Sequence, residues 1–165
     1  EWIKKVIQND SDGNLMVNNY HGLALHLCSK AEIEFWNDEE GETPASFWDE
    51  DVPERLMNAM SLLGDEDKFD AIIVDEGQDF RELWWTSMDS LFRDSENKGC
   101  YYVFYDPKQN VFSTSGSLPA ELGEPFNLPV NCRNTVKIAK HCAELIGIEP
   151  SVRDGAPAGD DPEIL

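Results

Sequence analysis

The sequence predicts an α/β fold built on a parallel sheet, and three observations carry that prediction. The apolar, β-branched run Ala71-Ile72-Ile73-Val74 has the length and composition of a buried parallel strand. Cys100-Tyr101-Tyr102-Val103-Phe104-Tyr105 is the most strand-like run in the chain. Amphipathic helical patterns alternate with these runs, as they do in α/β folds.

Taken in order, Leu15-Met16-Val17 is a short strand candidate leading to Asn19-Tyr20-His21-Gly22. A helix is expected next, with Leu23, Leu27, Ala31 and Phe35 on one face at four-residue steps. Residues 37–50 are acidic and polar and read as an exposed loop. Val52, Leu56, Ala59, Met60 and Leu63 mark a helix over 52–63, with Pro53 tolerated in its first turn and Gly64 as its stop.

Phe69 to Val74 is the first main strand. Asp79 is the expected cap of a following helix in which Trp85, Met88 and Phe92 recur at helical spacing, as core residues rather than a cofactor box. The second strand must leave the sheet at Pro107, which has no N–H to give to a ladder. Residues 113–124 read as loop, and Phe126 to Val130 as a further strand interrupted by Pro129. Asn134 is the expected cap of a last helix carrying Val136, Ala139, Ala143 and Ile146 on one face and ending at Gly147. The tail holds three prolines and two glycines among acids, and reads as an extended linker or frayed end. The expected organisation is therefore one domain over 1–147 and an acidic tail over 148–165.

Charge bounds the partners. Thirteen Lys and Arg face 33 Asp and Glu, a net of −20, so the chain as a whole repels polyanions. Nucleic-acid affinity rests on cationic side chains neutralising phosphates, so autonomous binding is expected to be weak. No apolar run approaches the roughly 20 residues of a membrane helix, and no secretory apolar core follows Glu1-Trp2-Ile3-Lys4-Lys5. Cys28, Cys100, Cys132 and Cys142 form no C-x-x-C pair. Buried, reduced thiols in a cytoplasmic protein are the expectation, without zinc.

Asp75-Glu76-Gly77-Gln78-Asp79 follows the first main strand directly. Two adjacent carboxylates there sit at the carboxyl edge of the sheet, where open α/β sheets bind ligands. In a nucleotide site of this kind the first acid holds Mg²⁺ and the second polarises the attacking water. A Gln two residues on is placed to sense the terminal phosphate. The bland alternative is an acidic helix start, since carboxylates favour a helix N-terminus.

Two further segments complete a pattern: Phe104-Tyr105-Asp106-Pro107-Lys108-Gln109-Asn110-Val111-Phe112 and Leu128-Pro129-Val130-Asn131-Cys132-Arg133-Asn134. With the acidic box, and with Asn19-Tyr20-His21-Gly22-Leu23 upstream, the chain resembles the ATPase core of UvrD/Rep/PcrA-type superfamily 1 DNA helicases over roughly residues 15–147. Their boxes read D-E-[AG]-Q-D, G-D-x-x-Q and L-x-x-N-[YF]-R-[ST], with T-F-H-S-L before them. The resemblance implies a partial RecA-like (P-loop NTPase-type) parallel sheet flanked by helices, with ATP and Mg²⁺ as cofactors and single-stranded DNA as partner of the whole protein. Asp75 would coordinate the metal and Glu76 would be the general base. Gln78 and Gln109 would contact the γ-phosphate or its water and couple that state to DNA. Arg133 would meet the γ-phosphate and stabilise charge in the transition state, work suited to a planar, permanent cation. Tyr20, His21 and Phe112 would lie on the DNA side, where rings stack on bases.

Departures from the pattern matter as much. The 165 residues contain no G-x-x-x-x-G-K-[ST] phosphate loop, so the chain reads as a piece of a longer helicase-like protein, inactive by itself. Cys132 replaces an adenine-stacking aromatic, Tyr105 replaces Gly, and Thr114 stands where a base-stacking Trp is frequent. Each single residue also has an ordinary reading: Tyr20 and Phe112 as core, His21 as a structural histidine, Arg133 as a helix-start surface residue, Asp106 as a turn former before Pro107. One rival function is a degenerate helicase-like domain whose acidic surface docks a protein partner. Another is a metal-dependent nuclease using Asp75, Glu76 and Asp106, with Lys108 as its cation.

Overall fold

The computed structural model describes residues 15–36, 46–93, 99–106, 118–119 and 122–162. The chain divides into two compact units, Glu1–Leu122 and Gly123–Leu165. The boundary precedes the last helix, so the third box and the tail share the second unit, and the expected division at 147/148 falls inside it.

In the first unit, helix α1 spans Tyr20–Lys30. Asn19 caps it by accepting from Gly22 N at 2.7 Å. It ends earlier than the four-residue periodicity suggested, because Glu32 turns left-handed (φ 57°) and breaks the helix before Phe35. Its buried residues are Tyr20, Ala24, Leu27 and Cys28; of the expected row, Leu27 is buried, and Leu23 and Phe35 pack partly buried against the core. Leu15, Met16 and Val17 form no strand, and all three are exposed.

The expected loop before α2 departs from its reading where it is described. Phe47–Asp51 is a π-helical turn that places Phe47 in the core, and it runs into α2, Val52–Leu62. Pro53 sits in the first turn of α2, where its missing N–H costs nothing. Leu63 ends α2 in an extended conformation, so Gly64 (φ −82°) is not a left-handed stop.

Strand β1, Ala71–Val74, pairs in parallel with β2, Cys100–Val103, in the register Ala71 to Cys100 and Val74 to Val103. Helix α3, Glu82–Asp89, lies between them in sequence, making a β-α-β connection. The described sheet has these two strands. Ile72 and Val74 are buried while Ile73 is 68% exposed, so β1 alternates instead of being buried on both faces. The inner face meets α3: Trp85 and Met88 join Ile72, Val74, Leu91 and Phe92 in one core with Tyr20, Leu27, Leu56 and Met60. Trp85, Met88 and Phe92 are core, as expected, but Phe92 lies beyond the helix, which ends at Asp89. Emptying a site such as Leu56, fully buried, costs about 2–5 kcal/mol on truncation to Ala.

The second unit contains α4, Val136–Ile146, ending at Gly147 in the left-handed conformation (φ 68°) as expected. Its N-cap is Thr135, not Asn134. Ala139 and Ala143 are buried, but Ile146 is 55% exposed. Phe126 to Val130 is not a strand, and Phe126, Leu128 and Val130 are exposed. The described tail is neither frayed nor extended away: it returns along Asn131 and the start of α4. Only Cys28 of the four cysteines is buried, and all four are free thiols. No helix among the described residues is long and apolar enough to cross a membrane.

Candidate functional site

The acidic box occupies the carboxyl end of β1, where the sheet hands the chain to a tight turn. Phe104 N donates to Val74 O at 2.8 Å and Gly77 N donates to Phe104 O at 2.9 Å, so the turn is laced to the end of β2. Gly77 is the residue that permits this approach. A Cβ there would come to 2.5 Å from Val103 Cγ1 and 3.5 Å from Phe104 O.

Glu76 sits in the left-handed region (φ 55°, ψ 43°), which a residue with a Cβ rarely occupies. Such conformations persist where surrounding contacts hold them, and they cluster at functional sites. The holding contacts are visible. Asp75 Oδ1 accepts from Glu76 N at 3.1 Å. Gln78 is 6% exposed; its Nε2 donates to Glu76 Oε2 at 2.6 Å and its Oε1 accepts from Asp106 N at 2.9 Å. The amide therefore ties the Glu76 carboxylate to the backbone at the start of the second box. Asp75 and Glu76 remain exposed.

These acids follow a strand end and precede a short 3-10 turn, but they do not open α3. Helix α3 begins at Glu82 with Arg81 as N-cap, and Asp79 belongs to the short 3-10 turn Gly77–Asp79. Asp79 therefore does not cap α3, because that turn separates the box from it.

Tyr20 and His21 depart from the DNA-side expectation. Tyr20 is 7% exposed, and its ring stacks on Trp84 at 4.6 Å with 10° between planes. Its hydroxyl meets Ser87 Oγ at 2.7 Å. Ser87 gives its own proton to Trp84 O at 2.8 Å, so Tyr20 is the donor to Ser87. Burial pushes the phenol up to about 12. A ring so enclosed is core, and offers no open face to a base. His21 is half-buried, edge-on to Trp48 at 4.8 Å and Trp84 at 4.9 Å. Its Nε2 is buried and meets no hydrogen-bond partner among the described residues. Burial holds its pKa below the usual value, with Asp49 and the Trp48 backbone pulling weakly the other way. At neutral pH it is an uncharged packing residue. Sequence reasoning missed Trp48, 42% exposed, and its tether, Trp84 Nε1 to Trp48 O at 3.2 Å. The acidity of the neighbouring segment hid it.

Gln109 and Phe112 lie outside the described residues, as do Lys108 and Thr114. Arg133 belongs to the second unit and is exposed. Asn131 shapes its turn: Oδ1 accepts from Arg133 N and from Asn134 N, both at 3.0 Å. The first unit thus brings Asp75, Glu76, Gln78 and the Asp106 backbone together, and the second carries Arg133 on a side-chain-capped turn.

No group of three His, Cys, Asp or Glu side chains among the described residues could enclose a metal. Mg²⁺ bound with a nucleotide needs less, since it keeps several waters and takes one or two carboxylates plus phosphates. An exposed Asp75 at a strand end fits that donor set. The nuclease alternative, which requires converging acids, gains no support. Comparison of the chain with family models, curated proteins and solved structures finds no match.

Proposed function

We propose that this chain is the Mg-nucleotide end of a RecA-like motor from an ATP-dependent DNA helicase or translocase of the UvrD type. One observation carries the reading: a left-handed Glu76 at the carboxyl edge of a parallel strand, whose carboxylate is held by Gln78 against the Asp106 backbone. A general base must be held within reach of its water, and a positioned amide does that work. Asp75 would hold Mg²⁺, which neutralises phosphate charge when bound. Glu76 would orient and deprotonate the water. Gln78, bonded at both ends of its amide, would pass a change at Glu76 to the segment that opens at Asp106. Arg133 would answer the γ-phosphate.

The chain carries no phosphate loop, so 165 residues alone are expected to turn over no ATP. The experiment is ATP hydrolysis by the natural full-length polypeptide, with and without single-stranded DNA. DNA-stimulated turnover that requires Mg²⁺ supports the reading. Absence of turnover sinks it and leaves the acidic protein-interaction module, which the net charge of −20 favours.

A further inference from the structure

The tail of the second unit has an unexpected place. Asn131 N donates to Ser151 O at 2.8 Å and Arg153 N donates to Asn131 O at 3.2 Å, a parallel bridge centred on Val152. Six residues later the chain meets the helix. Val136 N donates to Pro157 O at 3.0 Å and Lys137 N to Ala158 O at 3.1 Å. These first-turn N–H groups have no intrahelical partner, and a side chain usually takes one of them. Thr135 stands at the cap but makes no capping bond; the tail carbonyls do that work instead. Lys137 Nζ also pairs with Asp161 Oδ2 at 2.8 Å.

Gly159 locks the arrangement. Its φ is +75°, and a Cβ there would overlap the Thr135 side chain. Thr135 Oγ1 is buried without a hydrogen-bond partner among the described residues, so the contact is steric packing. Arg133 lies between the two attachment points, Asn131 and Thr135. Both ends of its turn are therefore tied to one segment.

We propose that residues 150–161 are a clasp that positions Arg133, with Asn131 and Gly159 as positioning residues, and that this clasp closes the N-terminus of α4 to anions. A phosphate contact from the third box then comes from the Arg133 guanidinium, not from the Val136 and Lys137 amides, which the tail carbonyls occupy. The catalytic part of the proposal rests on the motor reading above; the clasp itself does not.

Two measurements separate them. In this chain, amide hydrogen exchange is followed at Val136 and Lys137. Gly159→Ala should speed both by about tenfold, because an L-residue is strained at that φ and displaces Thr135. Adding Thr135→Gly, which removes the overlapping side chain, should recover part of the protection. Asp161→Ala, which touches only an exposed ion pair, should speed them by roughly twofold and serves if Gly159→Ala does not fold. Unchanged exchange in both variants overturns the clasp.

In the natural full-length polypeptide, Gly159→Ala should lower kcat for ATP by up to roughly a hundredfold with little change in KM, the scale of a misplaced group. Arg133→Ala should act likewise, and the double variant should be no worse than Arg133→Ala alone. Faster exchange with unchanged kcat, or fully additive losses, overturns the positioning role. A wild-type polypeptide without turnover overturns that role together with the motor reading, while the exchange result still decides the clasp.

Discussion

Gln78 is joined to Glu76 by a 2.6 Å hydrogen bond from Nε2 to Oε2, and its other amide atom holds Asp106 N at 2.9 Å. The side chain is nearly fully buried, so both bonds form largely away from water. Gln78→Leu keeps the volume but removes both partners. It should destabilise the fold by about 1–3 kcal/mol, because the Asp106 N–H is left without its acceptor. Urea unfolding measures this. A variant as stable as the wild type would mean the amide is incidental to the turn.

Gly77→Ala tests the close approach of the acidic box to β2. The added methyl would meet Val103 Cγ1 at 2.5 Å. Val103 is packed in the sheet against the core and has little room to retreat. A loss of about 1–3 kcal/mol is expected from overpacking. Gly77→Ala/Val103→Ala should recover part of it by making space, read as a non-additive double-mutant cycle.

Tyr20 makes stability fall in alkali. Its folded pKa of about 12 lies above the ordinary value of 10, so the folded state holds the proton more tightly. Its contribution is present in full below pH 10, and is lost as pH rises through 10 towards 12, where the unfolded chain ionises first. Tyr101 is pushed up in the same direction by burial. Tyr20→Phe should therefore reduce, without abolishing, the decline in unfolding free energy between about pH 9.5 and 11. An unchanged slope would place Tyr20 at the surface.

The sequence made some elements legible and hid others for physical reasons. Ala71–Val74, Cys100–Val103, Val52–Leu62 and Gly147 were readable because local periodicity, β-branching and a left-handed glycine each act within a few residues. The true ends of α1 and the start of α3 were not, because Glu32 and Arg81 are unusual residues for those positions. Tyr20 was misplaced because an amphipathic ring carries no local mark of which side it faces; Trp84, far along the chain, decides it. Glu76 was legible as an acid at a strand end, but its left-handed conformation was not. The tail was misread because Pro, Gly and acids suggest a linker, whereas Gly159 serves a close contact and the carbonyls of Pro157 and Ala158 serve as caps.

Single-stranded DNA should bind this chain weakly. Thirteen basic residues stand against 33 acidic ones. With Tyr20 enclosed and His21 uncharged, little remains on α1 to hold a base or a phosphate. One exposed ring would add only about 1–3 kcal/mol per base. Fluorescence titration of an oligonucleotide at about 0.15 M salt should give a dissociation constant in the millimolar range or weaker. Submicromolar binding would return the DNA grip to these residues.

Whether Glu76 is the base of an ATP-hydrolysing motor is decided by Glu76→Gln in the natural full-length polypeptide. Gln keeps the size of the side chain and a carbonyl oxygen to accept from Gln78, but cannot take a proton from water. DNA-stimulated kcat should fall by about 10²–10⁴-fold while Mg-ATP binding persists. Turnover at the wild-type rate in Glu76→Gln, with nucleotide bound, would mean that Glu76 is not the base.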